Sequence, residues 1–327
     1  MTSTEDTRWL DAAARLATRG APLARPNPAV GAIVVKDNRV IARGWTQAGG
    51  RPHAEAIALA AAGDAAQGAT LYVSLEPCAH QSTRGPACAD LVAQSRLARV
   101  IVGCADPDPR TAGAGIARIR AAGIAVDLIA NAACAESLAG YLTRSRLGRP
   151  HVTLKLAMSL DGCIARADGE SQWITGDAAR AHAHAWRARM DAILVGGGTL
   201  RADTPRLDVR LPGLGDRCPE RWVLTRGTVP DGWRALASPE AINATSPAQT
   251  LLVEGGAQTA SAFLAADLVD RLMIYRAPIL IGDGLRAIDA IGLARLGDAH
   301  GRWRLSDRRQ LGNDTFEVYE RTPCSPA

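Results

Sequence analysis

Lysine is nearly absent from this chain. Lys36 and Lys155 are the only two, so arginine supplies almost all of the 38 basic residues. Aromatic residues are also scarce, at 4% of 327. The net charge of +5 comes from scattered arginines, with no basic run and no interleaved aromatics. Stacking platforms along a basic groove are therefore missing, and no nucleic-acid partner is expected. A small anionic substrate suits the charge equally well. No stretch of eighteen apolar residues occurs, which excludes a membrane-spanning helix and a membrane partner of that kind. The first twenty residues lack an apolar signal core. They read as the opening amphipathic helix of a cytoplasmic protein. The seven cysteines are odd in number and follow no disulfide framework. Most of Cys104, Cys134, Cys163, Cys218 and Cys324 are expected to be free thiols.

What is present is an alternation of strand and helix, twice over. "AVGAIVVKDNRVIARG" predicts a hairpin turning at Asp37-Asn38. "HAEAIALAAAG" predicts a helix stopped by Gly63, and "GATLYVSLEPC" a strand running into a loop. Helix, strand, helix and short strand follow, and "AACAESLAGYLTRSRLG" predicts one last helix. Such an order implies a mixed sheet with helices on both faces. The pattern restarts near Gly148-Arg149-Pro150. Residues 1–147 and 148–327 are therefore expected to form two α/β domains, a size each can sustain with its own core.

The chemistry of the first half lies in "RPHAEAIALAAAG" and "SLEPCAHQSTRGPAC". His53, Cys78 and Cys88 offer one imidazole and two thiolates. Three such ligands leave a fourth tetrahedral position open to water, the arrangement of a catalytic zinc site. His53 and Cys88 are each predicted at a helix start, where partial positive charge favours thiolate over thiol. Glu55 falls two residues from His53 and is free to move protons. Buried structural cysteines are the plainer alternative for the same residues.

The pattern H-A-E followed by P-C and a later cysteine resembles the zinc-dependent nucleobase deaminases. Here the cysteines are spaced C-x9-C instead of C-x2-C. Together with "RPNPAVGAIVV" and "ADPDP", the stretch is similar to the deaminase half of the RibD family of bifunctional riboflavin biosynthesis proteins. That resemblance implies a cytidine-deaminase-like three-layer fold. It also implies hydrolytic removal of the 2-amino group from a diaminopyrimidinone carrying ribose 5-phosphate, with Glu55 as the proton carrier. Asn27, His80 and Arg84 are carried over as substrate contacts. The chain departs from the family at Ser82, Thr46 and Asp108, where glycine, histidine and asparagine are usual, and its cysteine loop is one residue longer. Asp108 is expected to bring an extra negative charge near the phosphoribosyl group.

In the second half, Glu254-Gly255-Gly256 ends a predicted strand just before a helix, a plausible phosphate cradle to which Thr259 and Ser261 add hydroxyls. Gly196-Gly197-Gly198 is not a dinucleotide fingerprint. On residues alone, Trp173 reads equally as core and Arg187 as a solvated helix face. The segments "TLKLAMSLDGCIA", "GESQWITG", "DAILVGGGTLRADTPRLDVR" and "LLVEGG" resemble the reductase half of the same family, a dihydrofolate-reductase-like α/β domain. The resemblance implies NADPH as cofactor, bound by Ala157, Trp173, Thr199, Asp203 and the run Gly256, Ala257, Gln258, Thr259, Ala260, Ser261 and Ala262. Substrate contacts carried over are Lys155, Ser171, Arg187, Leu207, Arg210 and Glu254. Arg187 and Arg210 are expected to clamp a phosphate. Lys155 and Asp203 are the expected proton handlers. The family also implies a homo-oligomer. The region between Arg210 and "LLVEGG" is short and polar, so a single-activity deaminase with a non-catalytic second domain is the alternative. A deaminase editing transfer RNA and a zinc-stabilised scaffold are more distant ones.

Overall fold

A type of turn that needs two residues of positive φ opens the first sheet. Asp37 and Asn38 adopt φ of 49° and 58°, which short polar side chains tolerate and which matches the twist of a two-residue hairpin. They join β1 (Gly31–Lys36) to β2 (Arg39–Trp45). The computed structural model describes residues 4–244 and 247–322, and Cys324 lies outside them. The chain divides into two compact units, Met1–Gly148 and Arg149–Ala327.

In the first unit, α1 (Thr4–Ala17) precedes the hairpin and α2 (Ala54–Ala62) follows it. Then come β3 (Thr70–Val73), α3 (Cys88–Gln94), β4 (Arg99–Val102), α4 (Ala114–Ala121), β5 (Ala125–Leu128), α5 (Ala132–Ser137) and α6 (Ala139–Leu147). The strands form one mixed sheet in the order β2-β1-β3-β4-β5. β1 runs antiparallel to β2 and β3, whereas β3, β4 and β5 are mutually parallel. Strand alternation builds two cores. Ala32, Val34, Leu71, Val73, Val100 and Val102 pack with residues of α2, α3 and α4. Ile33, Val35, Tyr72 and Ile101 point the other way, against Leu10, Ala13 and Ala14 of α1 and Cys134 of α5. Each fully buried aliphatic side chain contributes roughly 1.5–3 kcal/mol.

Two close approaches position the first site. A Cβ on Gly44 would lie 2.2 Å from the Ala54 carbonyl oxygen, so the start of α2 rests directly on β2. A Cβ on Gly115 would lie 2.0 Å from the Pro77 carbonyl oxygen, so α4 backs the loop that carries Cys78. The last predicted helix is two. Leu138 leaves helical geometry (φ −103°, ψ 5°) between α5 and α6 while its side chain stays in the core.

The second unit contains β6 (His151–Met158), β7 (Cys163–Arg166), α7 (Asp177–Arg187), β8 (Ala192–Gly196), α8 (Gly197–Asp203) and β9 (Glu220–Leu224). β10 (Trp233–Leu236), β11 (Thr250–Val253), α9 (Ala257–Ala265), β12 (Arg271–Arg276), β13 (Gly284–Arg286), β14 (Trp303–Leu311) and β15 (Asp314–Arg321) complete it. The large sheet has the order β10-β9-β8-β11-β6-β12-β15-β14, and β13 pairs with β7 separately. From β10 to β12 all neighbours are parallel, and β15 and β14 add antiparallel strands. A parallel sheet with helical crossovers presents its ligand sites at the carboxyl ends of the strands. Gly196, Thr225 and Glu254 stand at or just beyond three such ends. No described helix is long and apolar enough to cross a membrane.

Candidate active sites

His53 is the N-cap of α2, and its own side chain makes no capping bond. The ring is therefore free to turn toward the loop after β3 and the first residue of α3. His53 Nδ1 lies 3.6 Å from Cys78 Sγ and 3.3 Å from Cys88 Sγ. All three ligand atoms fall within 4.8 Å of one another, and no other metal-type cluster occurs among the described residues. Zinc–ligand bonds of about 2.0–2.3 Å around a tetrahedron put neighbouring donors roughly 3.5–3.8 Å apart. The triad fits that spacing, and its donor chemistry is that of zinc. Both cysteines are buried and unbridged.

The electrostatics agree with a cation site. The Cys88 thiol donates to Cys78, which with the His53 ring and the Cys88 backbone amide holds the Cys78 thiol down at about 3. Cys88 is pushed well up, first by that same hydrogen bond and then by burial. Glu55 is 3% exposed, and its carboxyl is in hydrogen-bonding contact with Cys88. Burial raises its pKa above the ordinary value, against the opposing pull of His53. A buried carboxyl with a raised pKa beside a cation site is suited to accept a proton and return it.

Of the remaining sequence-derived residues of this half, Asn27 reaches His53. Asn27 Nδ2 donates to the Gly50 carbonyl at 2.9 Å and lies 3.0 Å from His53 Nε2. Arg84 Nη2 donates to the Gly49 carbonyl at 2.6 Å. His80 has a buried Nδ1 with no hydrogen-bond partner, a polar atom that a ligand can satisfy. Thr46 is instead a structural residue, its hydroxyl accepting from the Val30 amide. The extra charge expected of Asp108 is offset: Arg110 Nε and Nη2 grip both its oxygens. The sequence reading missed Glu76. Its buried carboxylate accepts from the Asp106, Gly113 and Ile116 amides and so fixes the loop before α4. A carboxylate in "LEPC" was the available signal.

In the second unit, a cavity of about 550 Å³ gathers Lys155, Ala157, Ser171, Trp173, Arg187, Thr199, Asp203, Leu207, Arg210 and Glu254. At its floor Arg187 donates from Nε and Nη2 to the two oxygens of Glu254, both at 2.8 Å. Its Nη1 donates to the Asp208 carbonyl at 3.2 Å. Glu254 and the Asp208 carbonyl thus orient the Arg187 guanidinium where it lines the cavity together with Arg210. Arg210 is the more open of the two, with a side chain 58% exposed. Lys155 Nζ lies 3.8 Å from Glu254. Burial alone would raise the Glu254 pKa, but the charges of Arg187 and Lys155 outweigh it and hold the carboxyl at about 2. One carboxylate against two cations leaves the floor positive, as an anionic substrate requires. Trp173 is exposed, with the Arg180 guanidinium 4.7 Å from its ring centre. Leu207 is buried at a positive φ of 51°, a conformation that non-glycine residues seldom adopt away from functional loops.

A second cavity, of about 610 Å³, shares Thr199 and takes in Gly256, Ala257, Gln258 and Thr259. Ala260, Ser261 and Ala262 do not line it. Ala260 is core, and the Ser261 hydroxyl accepts from the Asp289 amide at 2.7 Å. Thr225, Arg201 and Arg286 do line it, and the sequence reading did not single them out. Thr225 follows β9, so the strand-end rule was the signal that would have found it.

Comparison with known proteins accounts for both halves. Residues 3–104 match the family model for the cytidine and deoxycytidylate deaminase zinc-binding region. Residues 150–249 and 241–316 match the RibD C-terminal domain. The riboflavin biosynthesis protein RibD of Mycobacterium tuberculosis is 39% identical over 306 residues, 88% of this chain and 89% of the relative. That of Escherichia coli is 36% identical over 360 residues, 95% of this chain and 98% of the relative. Among solved structures, Acinetobacter baumannii RibD matches with a TM-score of 0.86 at 36% identity, covering 97% of this chain and 99% of that one. A deaminase/reductase from Thermotoga maritima matches with a TM-score of 0.86 at 31% identity over the same shares. The chain belongs to the RibD family of riboflavin biosynthesis proteins, with a zinc-type deaminase domain and an NADPH-type reductase domain in one polypeptide.

Proposed function

We propose that the first unit deaminates 2,5-diamino-6-ribosylamino-4(3H)-pyrimidinone 5′-phosphate. The second then reduces the ribosyl group of 5-amino-6-(5-phosphoribosylamino)uracil to ribityl. The observation that carries this reading is the meeting of His53, Cys78 and Cys88 with the buried Glu55 carboxyl beside them. His53, Cys78 and Cys88 would hold zinc, which supplies a water activated for attack at neutral pH. Glu55 takes a proton from the attacking water and passes it to the ring nitrogen next to the carbon that bears the amine. It then carries the remaining hydroxyl proton to the amine, which leaves as ammonia. His80 and Asn27 are assigned to the substrate, and the Asp108–Arg110 pair carries no net charge to set against the phosphoribosyl group.

In the reductase unit, Trp173, Thr199, Asp203 and the turn from Gly256 to Thr259 would hold NADPH, which would supply the hydride for the sugar C1′. As the bond from C1′ to the ring oxygen opens, that oxygen needs a proton. Lys155 and Asp203 line the cavity and are the groups assigned to deliver it. Arg187 and Arg210 are assigned to the substrate phosphate, with Glu254 holding the Arg187 guanidinium in place. The work is assigned to the cytoplasm and to a homo-oligomer.

Glu55→Ala tests the central assignment. The variant should bind zinc with the same stoichiometry and release no ammonia from the pyrimidinone substrate. Full deamination by Glu55→Ala would overturn the role given to that carboxyl.

A further inference from the structure

α7 turns two side chains toward the loop that carries Arg210. His184 and Arg187 lie three positions apart and so share one face of the helix. Both line the cavity of about 550 Å³, together with Leu207, Asp208 and Arg210. The loop is pinned through its main chain. The Asp208 carbonyl accepts from Arg187 Nη1 at 3.2 Å, and the Val209 amide donates to Cys218 Sγ at 3.3 Å. The Arg210 amide donates to His184 Nδ1 at 3.3 Å. Just ahead of these three groups, Leu207 holds its positive φ.

His184 Nδ1 also lies 3.1 Å from the Asp208 carbonyl oxygen. Its two neighbours ask opposite things of one nitrogen. The Arg210 amide needs an acceptor there, and the Asp208 carbonyl needs a donor. The carbonyl already has a donor in Arg187. Among the described residues the Arg210 amide has no other hydrogen-bond partner. The tautomer that serves all of these groups carries its proton on Nε2 and leaves Nδ1 to accept.

The charges around the ring favour the same state. Burial disfavours a protonated imidazole, and so do the guanidiniums of Arg187 on the same helix and Arg210 on the loop. Together they hold the His184 pKa below the ordinary 6.5, against the opposing pull of the Asp208 carbonyl and of Glu254 beyond β11.

We infer that His184 is a positioning residue of the reductase: its unprotonated Nδ1 holds the Arg210 main chain and so sets where the Arg210 guanidinium meets the substrate phosphate. The inference rests on the reductase reading above. It gives His184 a role through Arg210 and no contact with the reacting atoms.

Steady-state turnover by the full chain provides the test, with 5-amino-6-(5-phosphoribosylamino)uracil and NADPH. His184→Ala should raise the KM for the pyrimidine about fivefold, as for one lost hydrogen bond. The KM for NADPH should change less than about twofold. His184→Asn carries its side-chain oxygen as far from the backbone as Nδ1 and should recover most of the loss. In an Arg210→Ala background, His184→Ala should add less than about twofold, because the side chain it positions is gone. Protonation removes the acceptor, so the pyrimidine KM of the unaltered chain should rise relative to that of His184→Asn as pH falls below about 6.5. Taking the ratio of the two cancels the titration of the substrate's own phosphate. A rise of equal size with and without Arg210 would overturn the inference, since the ring would then support the cavity at large. An unchanged KM in His184→Ala, or a ratio that stays flat with pH, would overturn it as well. Failure of the unaltered chain to oxidise NADPH with this pyrimidine would instead remove the reductase reading, and the inference with it.

Discussion

Arg187 and Glu254 face each other across the floor of the reductase cavity through two hydrogen bonds of 2.8 Å. One residue ends α7 and the other follows β11, so the pair ties a crossover helix to the sheet just where substrate must sit. Both side chains are largely buried, at 14% and 8% exposure. The geometry is the bidentate fork that makes a guanidinium–carboxylate pair directional.

Stability of the second unit should consequently depend on acid. The Glu254 carboxyl is held at about 2 against an ordinary 4.5. A carboxyl with a depressed pKa contributes stability that is present above its unfolded value and lost as pH falls through its folded one. The contribution, on the order of 3 kcal/mol, should therefore disappear between about pH 4.5 and pH 2. Chemical denaturation at a series of pH values checks this. Glu254→Gln should flatten the slope in that window and cost about 3–5 kcal/mol at neutral pH, since Arg187 is left buried without its counter-charge. An unchanged slope in Glu254→Gln would contradict the assignment.

Zinc uptake by the first unit should release protons. The Cys78 thiol is held low by its hydrogen bonds with Cys88 and His53, whereas the Cys88 thiol is pushed up by its hydrogen bond with Cys78 and by burial. Binding a divalent cation requires both sulfurs deprotonated, so about one proton should leave the cysteine pair at pH 7. Calorimetric titration in buffers of different ionisation enthalpy reads that number. Cys88→Ser should lower both the zinc affinity and the proton count. Uptake without proton release would mean that the pair is not arranged as described.

Arg210 should supply the more open half of the phosphate contact, beside the buried Arg187. Arg210→Ala is expected to raise the KM for the phosphorylated pyrimidine by about tenfold, as for one lost charge-assisted contact at an open position. The KM for NADPH should move little. A KM that stays the same for the pyrimidine takes Arg210 out of the substrate site.

Much of this was legible from residues, for identifiable reasons. The Asp37-Asn38 turn announces itself because few side chains accept positive φ. The start of α2 at His53 and of α3 at Cys88 followed from a proline-bounded loop meeting an alanine-rich run. What stayed hidden was structure whose local signal points elsewhere. α8 begins with two glycines, which disfavour helix, and forms after a parallel strand regardless. β14 reads "WRLSDRRQL", and its charged exposed face hides the alternation expected of a strand at a sheet edge. β10 reads "WRAL", which has no β-branched residue. At the sites, residue types were readable and commitments were not. Nothing in the spacing of Arg187 and Glu254 shows that they consume each other's hydrogen bonds. Asp108 looked like an unbalanced charge until Arg110 was seen folded back onto it.

The most direct test supplies 2,5-diamino-6-ribosylamino-4(3H)-pyrimidinone 5′-phosphate to the zinc-loaded chain, with and without NADPH, and follows ammonia together with nicotinamide absorbance. Ammonia should appear in both samples, and absorbance should fall only where NADPH is present and only after ammonia has begun to form. Absorbance loss with no ammonia, or no ammonia in either sample, would contradict the assignment of a zinc-dependent deaminase acting ahead of a reductase.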